Sequence, residues 1–359
     1  MIKTENSLNT IQKNNYFGLD IIRIIAMFLV ITVHATTIYG FYLTPNSNIL
    51  DFLVGVGRYL SFACIPLFMI LTGYLNANKE PSYNYFKKIF SFLLEYLICS
   101  LFIMCFKMIY SKQYFSVFDV LDGLLNFTLA SYAWYVNMYI GLFLLIPFLN
   151  ILYKNIKTRE QKRILLFVLI FIFSVPATFR KLAWNYWNVA YPLMFYYIGV
   201  YIKEFQPKFN KFVLALIMLM AVLVETIISM YLSVLGIMVE NHNNIFCVIV
   251  SVSLFLMLYD LKKEQLSNRP TFLRSVANLS LSTFLVSYIF EVINKKIFKS
   301  AGLTTFSQRL PHLLYMTPLK FVFSIMIAFV IHHLCRALMW IIKFFIDKAK
   351  MKKMQKTPV

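Results

Sequence analysis

The sequence predicts an all-α fold: a polytopic membrane helical bundle of about ten transmembrane helices, with both termini cytoplasmic. Three observations carry that reading. Of 359 residues, 60% are hydrophobic and 14% charged, whereas an ordinary soluble chain is about a quarter charged. The apolar residues come in long unbroken runs, Ile164 to Phe173 and Phe212 to Val224 among them, which suits helical spans and not the short alternation of a membrane barrel. Phe (36) and Tyr (23) are abundant while Gly (10) and Pro (11) are scarce, as fits helices flanked by interfacial aromatic belts. A soluble two-domain enzyme, a disulfide-stapled secreted protein and a disordered scaffold are thereby excluded.

Windows of about 20 residues, the length that crosses a hydrocarbon core, place the spans at 17–42, 52–76, 89–110, 132–153, 164–180, 187–203, 212–236, 244–260, 276–294 and 314–342. The fifth is short and carries Pro176. The first is preceded by a polar stretch and followed by no small-residue cleavage site, so it reads as a retained span and not a signal peptide. Residues 1–16 are a cytoplasmic leader, 17–346 the ten-helix membrane domain, and 347–359 a basic cytoplasmic tail suited to anionic lipid. Lysine and arginine concentrate in the segments this topology puts inside, so the net charge of +20 reads as a topology signal and not as a nucleic-acid footprint. The connections around 111–131 and 295–313 are the longest, and neither holds a phosphate-cradling glycine motif. Any chemistry lies among the helices.

The five cysteines, Cys64, Cys99, Cys105, Cys247 and Cys335, sit in apolar runs without metal-ligand spacing and read as small packed hydrophobes. No metal site is expected. The sequons at Asn126 and Asn278 are read as chance matches.

Ionisable residues inside spans are costly and tend to face a cavity or a partner. Span one, GLDIIRIIAMFLVITVHA over 18–35, holds Asp20, Arg23 and His34. Asp20 and Arg23, three apart, share a face and are placed to form an ion pair. Arg23 and His34 are eleven apart, three turns plus roughly 20°, so they point the same way about 16 Å apart along the axis. A guanidinium near the inner face binds phosphate or orients a carbonyl, and an imidazole farther out accepts a proton from an alcohol. The plainer alternative is that the charges snorkel to the interface and His34 bonds a neighbouring helix.

The run Asp20, Arg23, Ala26, His34 resembles the first helix of the acyltransferase-3 family of integral-membrane O-acyltransferases, of the bacterial envelope polysaccharide O-acetyltransferase type. IPLFMILTGYL (65–75), YNYFKKIFSFLLEYL (83–97), AWYVNMYIGLFLLIPFL (133–149) and NLSLSTFLVSYIF (278–290) are similar to later patterns of that family, in the same order along nearly the whole chain. Two positions depart from it. Tyr132 stands where relatives often carry a histidine, and Phe284, Leu285, Val286 and Ser287 stand where a late helix commonly ends in one.

The resemblance implies transfer of an acyl group, most often acetyl from acetyl-CoA, to a hydroxyl of a cell-envelope carbohydrate or lipid-linked glycan, in the bacterial cytoplasmic membrane. Acetyl-CoA is then the donor substrate, with no tightly bound cofactor. The partners implied are the glycan acceptor, the lipid bilayer and, in a homodimer, a second copy; nucleic acid is not among them. In that reading His34 takes the hydroxyl proton, and Arg23 holds a CoA phosphate or the carbonyl oxygen. Lys87 and Lys88 either add phosphate contacts or serve as topology signals, the commoner role. Arg58 is either a charge in the substrate cavity, grouped with the donor contacts, or a partner of Asp51. Trp134 and Tyr135 line the acceptor cavity or sit in the interfacial belt. Asp20 supports Arg23, and Gly73 permits close helix packing. Glu95 and Glu225 need partners within their apolar spans, and at most one of His332 and His333 faces a given neighbour. A different function, a transporter or flippase for a polysaccharide, lipid-linked sugar or acyl donor, fits the spans and scattered charges as well.

Overall fold

The computed structural model of the chain describes residues 17–41, 48–179, 186–231, 241–261 and 272–354. Among these every regular element is helical. The leader 1–16 lies outside the described residues. So do the last five residues of the tail.

The first apolar run forms α1 (Phe17–Ile38), about 33 Å long and so able to cross a bilayer core. Asn48 then caps α2 (Ile49–Ser61), its Oδ1 accepting from the Asp51 amide at 2.8 Å. After a bend at Phe62–Ala63 the chain continues as α3 (Cys64–Asn76), and together these two helices make the second span. α4 (Tyr83–Phe86) and α5 (Ile89–Tyr110) form the third, interrupted at Lys87–Lys88. The connection predicted around 111–131 folds in part into α6 (Val117–Leu125), started by a reciprocal capping box of Ser116 and Asp119. α7 (Trp134–Asn155) and α8 (Arg159–Thr178) follow, the second opened by a Thr158–Gln161 capping box and carrying Pro176 in its last turn.

Three of the ten predicted spans prove too short to cross as single helices. The 187–203 run begins with a 3-10 turn (Asn188–Ala190), and helix α9 (Pro192–Phe205) starts only where proline occupies its first turn. α10 (Lys211–Tyr231) is full length, whereas α11 (Ile245–Leu258), capped by Asn244, has 14 residues, about 21 Å. The 276–294 run is broken into α12 (Phe272–Ala277), α13 (Ser280–Val286) and α14 (Tyr288–Ser300). At the junction of α13 and α14 Ser287 Oγ donates to the Phe284 carbonyl at 2.8 Å, and such side chain to backbone bonds compete with helix continuation. Seven described helical segments are therefore long and apolar enough to cross a membrane. The last, within α15 (Phe306–Met354), absorbs much of the 295–313 connection and carries helix into the tail beyond 347.

α1 sits at the centre. It packs against α2, α3, α11, α12, α13, α14 and α15, so its polar face looks into protein. Large apolar side chains turn outward on α7, α8, α10 and α15, Phe148, Phe167, Phe212 and Phe329 among them, as a lipid-facing surface requires. Cys105 also faces outward, beside exposed Phe102 and Ile109, while the other four cysteines are buried, and all five are free thiols.

α3 and α9 pack in direct backbone contact. A Cβ built on Gly73 would lie 2.0 Å from the Tyr196 carbonyl oxygen, and one on Gly199 2.0 Å from that of Ile70. Backbone thus meets backbone, the geometry that small residues permit. Asn150 ties the ends of these helices to α7. Its Nδ2 donates to the carbonyls of Asn76 and Lys79, and its Oδ1 accepts from Tyr196 Oη at 2.6 Å.

Candidate active site

The polar residues of α1 face two cavities. The first, about 290 Å³, is lined by Arg23, Glu95, Tyr135, Tyr139, Asn278 and Phe284, among others. Arg23 Nη1 lies 3.5 Å from Asn278 Oδ1 and 3.9 Å from Asp20 Oδ1, and the other Asp20 oxygen is 3.7 Å from Arg274 Nε. A buried carboxylate between two guanidiniums holds Arg23 in place. Its side chain retains 21% exposure, and no hydrogen bond to its Nε or Nη2 is made among the described residues, so donors remain for an anion. Glu95, one of the carboxylates that needed a partner, accepts from the Ser282 amide at 3.2 Å and from Ser282 Oγ at 2.5 Å. Glu225 accepts from Asn244 Nδ2 at 2.9 Å.

The second cavity, about 160 Å³, is lined by His34, Arg58, Trp134, His242, Cys64 and Phe284 with neighbouring apolar side chains. His34 stacks on Tyr132, with ring centroids 4.0 Å apart and planes 19° apart. Tyr132 in turn stacks on Phe284 at 5.4 Å and donates to Glu291 Oε2 at 2.5 Å. Glu291 is fixed by Lys295 at 2.7 Å. The imidazole plane is therefore set by an aromatic neighbour that is itself anchored.

Val30, Ile65 and Phe284 line both cavities. Arg23 and His34 thus look from one helix face into adjoining spaces that meet at three apolar side chains, and not into a single chamber. Val30 lies between them along α1, one turn from His34.

Arg58 lines the His34 cavity. Its Nη1 donates to the Val33 carbonyl (3.1 Å), Thr36 Oγ1 (2.7 Å) and Thr37 Oγ1 (3.0 Å), and its guanidinium lies 5.3 Å from the ring centroids of Phe41 and Phe62. It clasps the far end of α1 beside His34. Trp134 lines the His34 cavity and Tyr135 the Arg23 cavity, so the two adjacent aromatics serve different spaces. Lys87 and Lys88 line neither; they face a groove against α15. Gly73 lies in the α3–α9 contact and lines neither. His332 and His333 sit on exposed or half-buried faces of α15 with ring centroids 6.0 Å apart.

Three residues emerge that no sequence motif marked, His242, Glu291 and Lys320, and Phe284 takes a role that its motif did not announce. His242 Nδ1 is 2.9 Å from the Phe62 carbonyl; a carbonyl only accepts, so Nδ1 carries the hydrogen and Nε2 of the neutral ring is left as an acceptor. Burial holds its pKa below the ordinary 6.5, the Phe62 carbonyl opposing and Arg58 adding to the shift. Phe284 is the shared wall. Glu291 anchors Tyr132. Lys320 is 3% exposed, and its Nζ, like the hydroxyls of Thr283, Thr317 and Ser324, has no protein partner among the described residues. The charge inside a predicted span was the available signal for Lys320; His242 lies in an asparagine-rich connection and meets Phe62 180 residues away, which no local pattern encodes.

The family model described as an acyltransferase domain matches residues 16–333. No curated protein and no solved structure matches the chain.

Proposed function

Because the chain belongs to the acyltransferase-3 family, whose domain covers residues 16–333, we propose that it transfers an acyl group, acetyl first of all, from coenzyme A to a hydroxyl of a cell-envelope carbohydrate or lipid-linked glycan. The membrane acyltransferase activity follows from the family; donor, acceptor and the O-acyl bond are the proposal. The observation that carries it is the pair of adjoining cavities presented by one face of α1, Arg23 in one and His34 in the other, with Phe284 shared.

The spacing supports a division of roles. At about 16 Å from His34 along the helix, Arg23 cannot touch a carbonyl undergoing attack beside that imidazole. It holds the remote, phosphate-bearing part of the donor, with Asp20 and Asn278 orienting it. The acyl end extends past Val30 and Phe284. In the outer cavity the acceptor hydroxyl lies between Trp134, a stacking platform for a sugar face, and His34. As its oxygen attacks the thioester carbon, neutral His34 takes its proton. The new C–O bond forms, the C–S bond breaks, and the thiolate leaves and takes up a proton. His242 offers Nε2 to a second sugar hydroxyl. A donor held from the inside and an acceptor met from the outside correspond to a bacterial cytoplasmic membrane with both chain ends in the cytoplasm.

The test is transfer of labelled acetyl from acetyl-CoA to candidate glycans by the purified protein in lipid. His34→Ala is expected to accumulate in the membrane and transfer nothing, and Arg23→Gln to raise the KM for acetyl-CoA more than it lowers kcat. Wild-type transfer rates in His34→Ala would overturn the assignment. Label-free glycan movement across a liposome, with no label on the glycan, would replace it with transport.

A further inference from the structure

A groove separate from both cavities runs between α5 and the C-terminal part of α15, with a volume of about 1160 Å³. It shares no lining residue with the Arg23 cavity. Its register is fixed by one contact, Ser91 Oγ donating to Met339 Sδ at 3.2 Å. From there, one turn toward the start of α5 reaches Lys87 and Lys88, and one turn toward the end of antiparallel α15 reaches Lys343. Three ammonium groups therefore line one end of one groove. No aspartate or glutamate lines it, and none of the three lysines makes an ion pair among the described residues.

The rest of the wall is of opposite character. Phe90, Leu94 and Leu97 continue it along α5, about 14 Å from Lys88 to Leu97, and Phe90 is 70% exposed. A cluster of like charges at the edge of a membrane repels itself unless an anion joins it. An apolar trough leading away from that cluster and open to the side binds hydrocarbon.

We propose that this groove is a binding site for one anionic phospholipid, with the phosphate held by Lys87, Lys88 and Lys343 and an acyl chain laid along Phe90, Leu94 and Leu97. The phosphates of coenzyme A would satisfy the lysines equally, but not the apolar wall. The site is independent of the acyl-transfer reading. It fastens the end of α15 to α5, whose inner turns line the Arg23 cavity.

The experiment is native mass spectrometry of the full chain in detergent, titrated with palmitoyl-oleoyl phosphatidylglycerol or the matching phosphatidylcholine. One phosphatidylglycerol is expected to be retained at least about tenfold better than phosphatidylcholine, given three basic side chains at one headgroup. The preference is expected to vanish in K87Q/K88Q/K343Q, whose exposed positions leave the core untouched. Leu94→Asn is expected to weaken retention of both lipids. Millimolar coenzyme A or inorganic phosphate should leave the adduct in place. Equal retention of the two lipids by the wild type, or displacement by coenzyme A, would overturn the proposal.

Discussion

Replacing Gly73 with alanine tests a backbone-to-backbone contact between α3 and α9. The added Cβ would sit 2.0 Å from the Tyr196 carbonyl oxygen, whereas ordinary contact begins near 3.4 Å, so about 1.4 Å must be found. Neither atom belongs to a side chain that can rotate away, and the opposite contact, Gly199 against the Ile70 carbonyl, is just as short. α3 and α9 must separate as rods, loosening buried Ile70, Phe195 and Tyr196. Overpacking of this kind costs about 3 kcal/mol, less about 1 kcal/mol gained by alanine in a helix, for a net loss of about 2 kcal/mol. The free cysteines Cys64, Cys99, Cys247 and Cys335 are buried, so a thiol-reactive fluorophore reports unfolding during a thermal ramp, with exposed Cys105 changed to serine. The controls are Gly57→Ala and Gly141→Ala, where a Cβ meets nothing within 4 Å; these should be neutral or stabilised. If Gly73→Ala melts together with the controls, the backbone contact is wrong.

Phe284→Leu, a change costing about 1 kcal/mol of packing, should open the wall between the cavities; coenzyme A released without a glycan acceptor is expected to rise relative to transfer. Asn150→Leu leaves two carbonyls and the Tyr196 hydroxyl without their partner and should cost about 3 kcal/mol in the thiol assay, with Tyr196→Phe losing less. His242 is held neutral by burial, so its folded pKa lies below its unfolded one; the unfolded chain binds the extra proton, and stability falls as pH drops below 6.5. Thermal ramps on either side of that pH should show a larger loss for the wild type than for His242→Phe.

What the sequence shows and hides follows from the range of each interaction. α1 is a long, mostly apolar run with Arg23 and His34 at a helical spacing, and both the helix and the shared direction of those two residues could be read locally. Three predicted spans are not single long helices because an apolar window sees neither starts nor breaks: Pro192 sets a later beginning than hydropathy does, α11 ends after 14 residues, and the late run is interrupted at Asn278–Leu279 and at Ser287. Lys87 and Lys88 sit at the break between α4 and α5, where helical phase is lost, so counting residues from Glu95 could not say which space they face. Arg58 was legible as a buried cation, but not its three acceptors on α1. Phe284 and His242 gain their positions from tertiary packing, and one helix face opens into two cavities because Phe284, from a segment far along the chain, stands at their boundary.

The central place of α1 has a consequence for biogenesis. It is the first of the described helices to leave the ribosome, yet Arg274 and Asn278, which complete the surroundings of Asp20 and Arg23, are translated late; Asn278 follows Arg23 by 255 residues. During most of synthesis the nascent chain must keep a carboxylate, a guanidinium and an imidazole in or near the lipid without their final neighbours. Quality-control proteases would then meet any truncated product with its polar stripe still uncovered, and assembly finishes only when the closing helices slide in around the opening one.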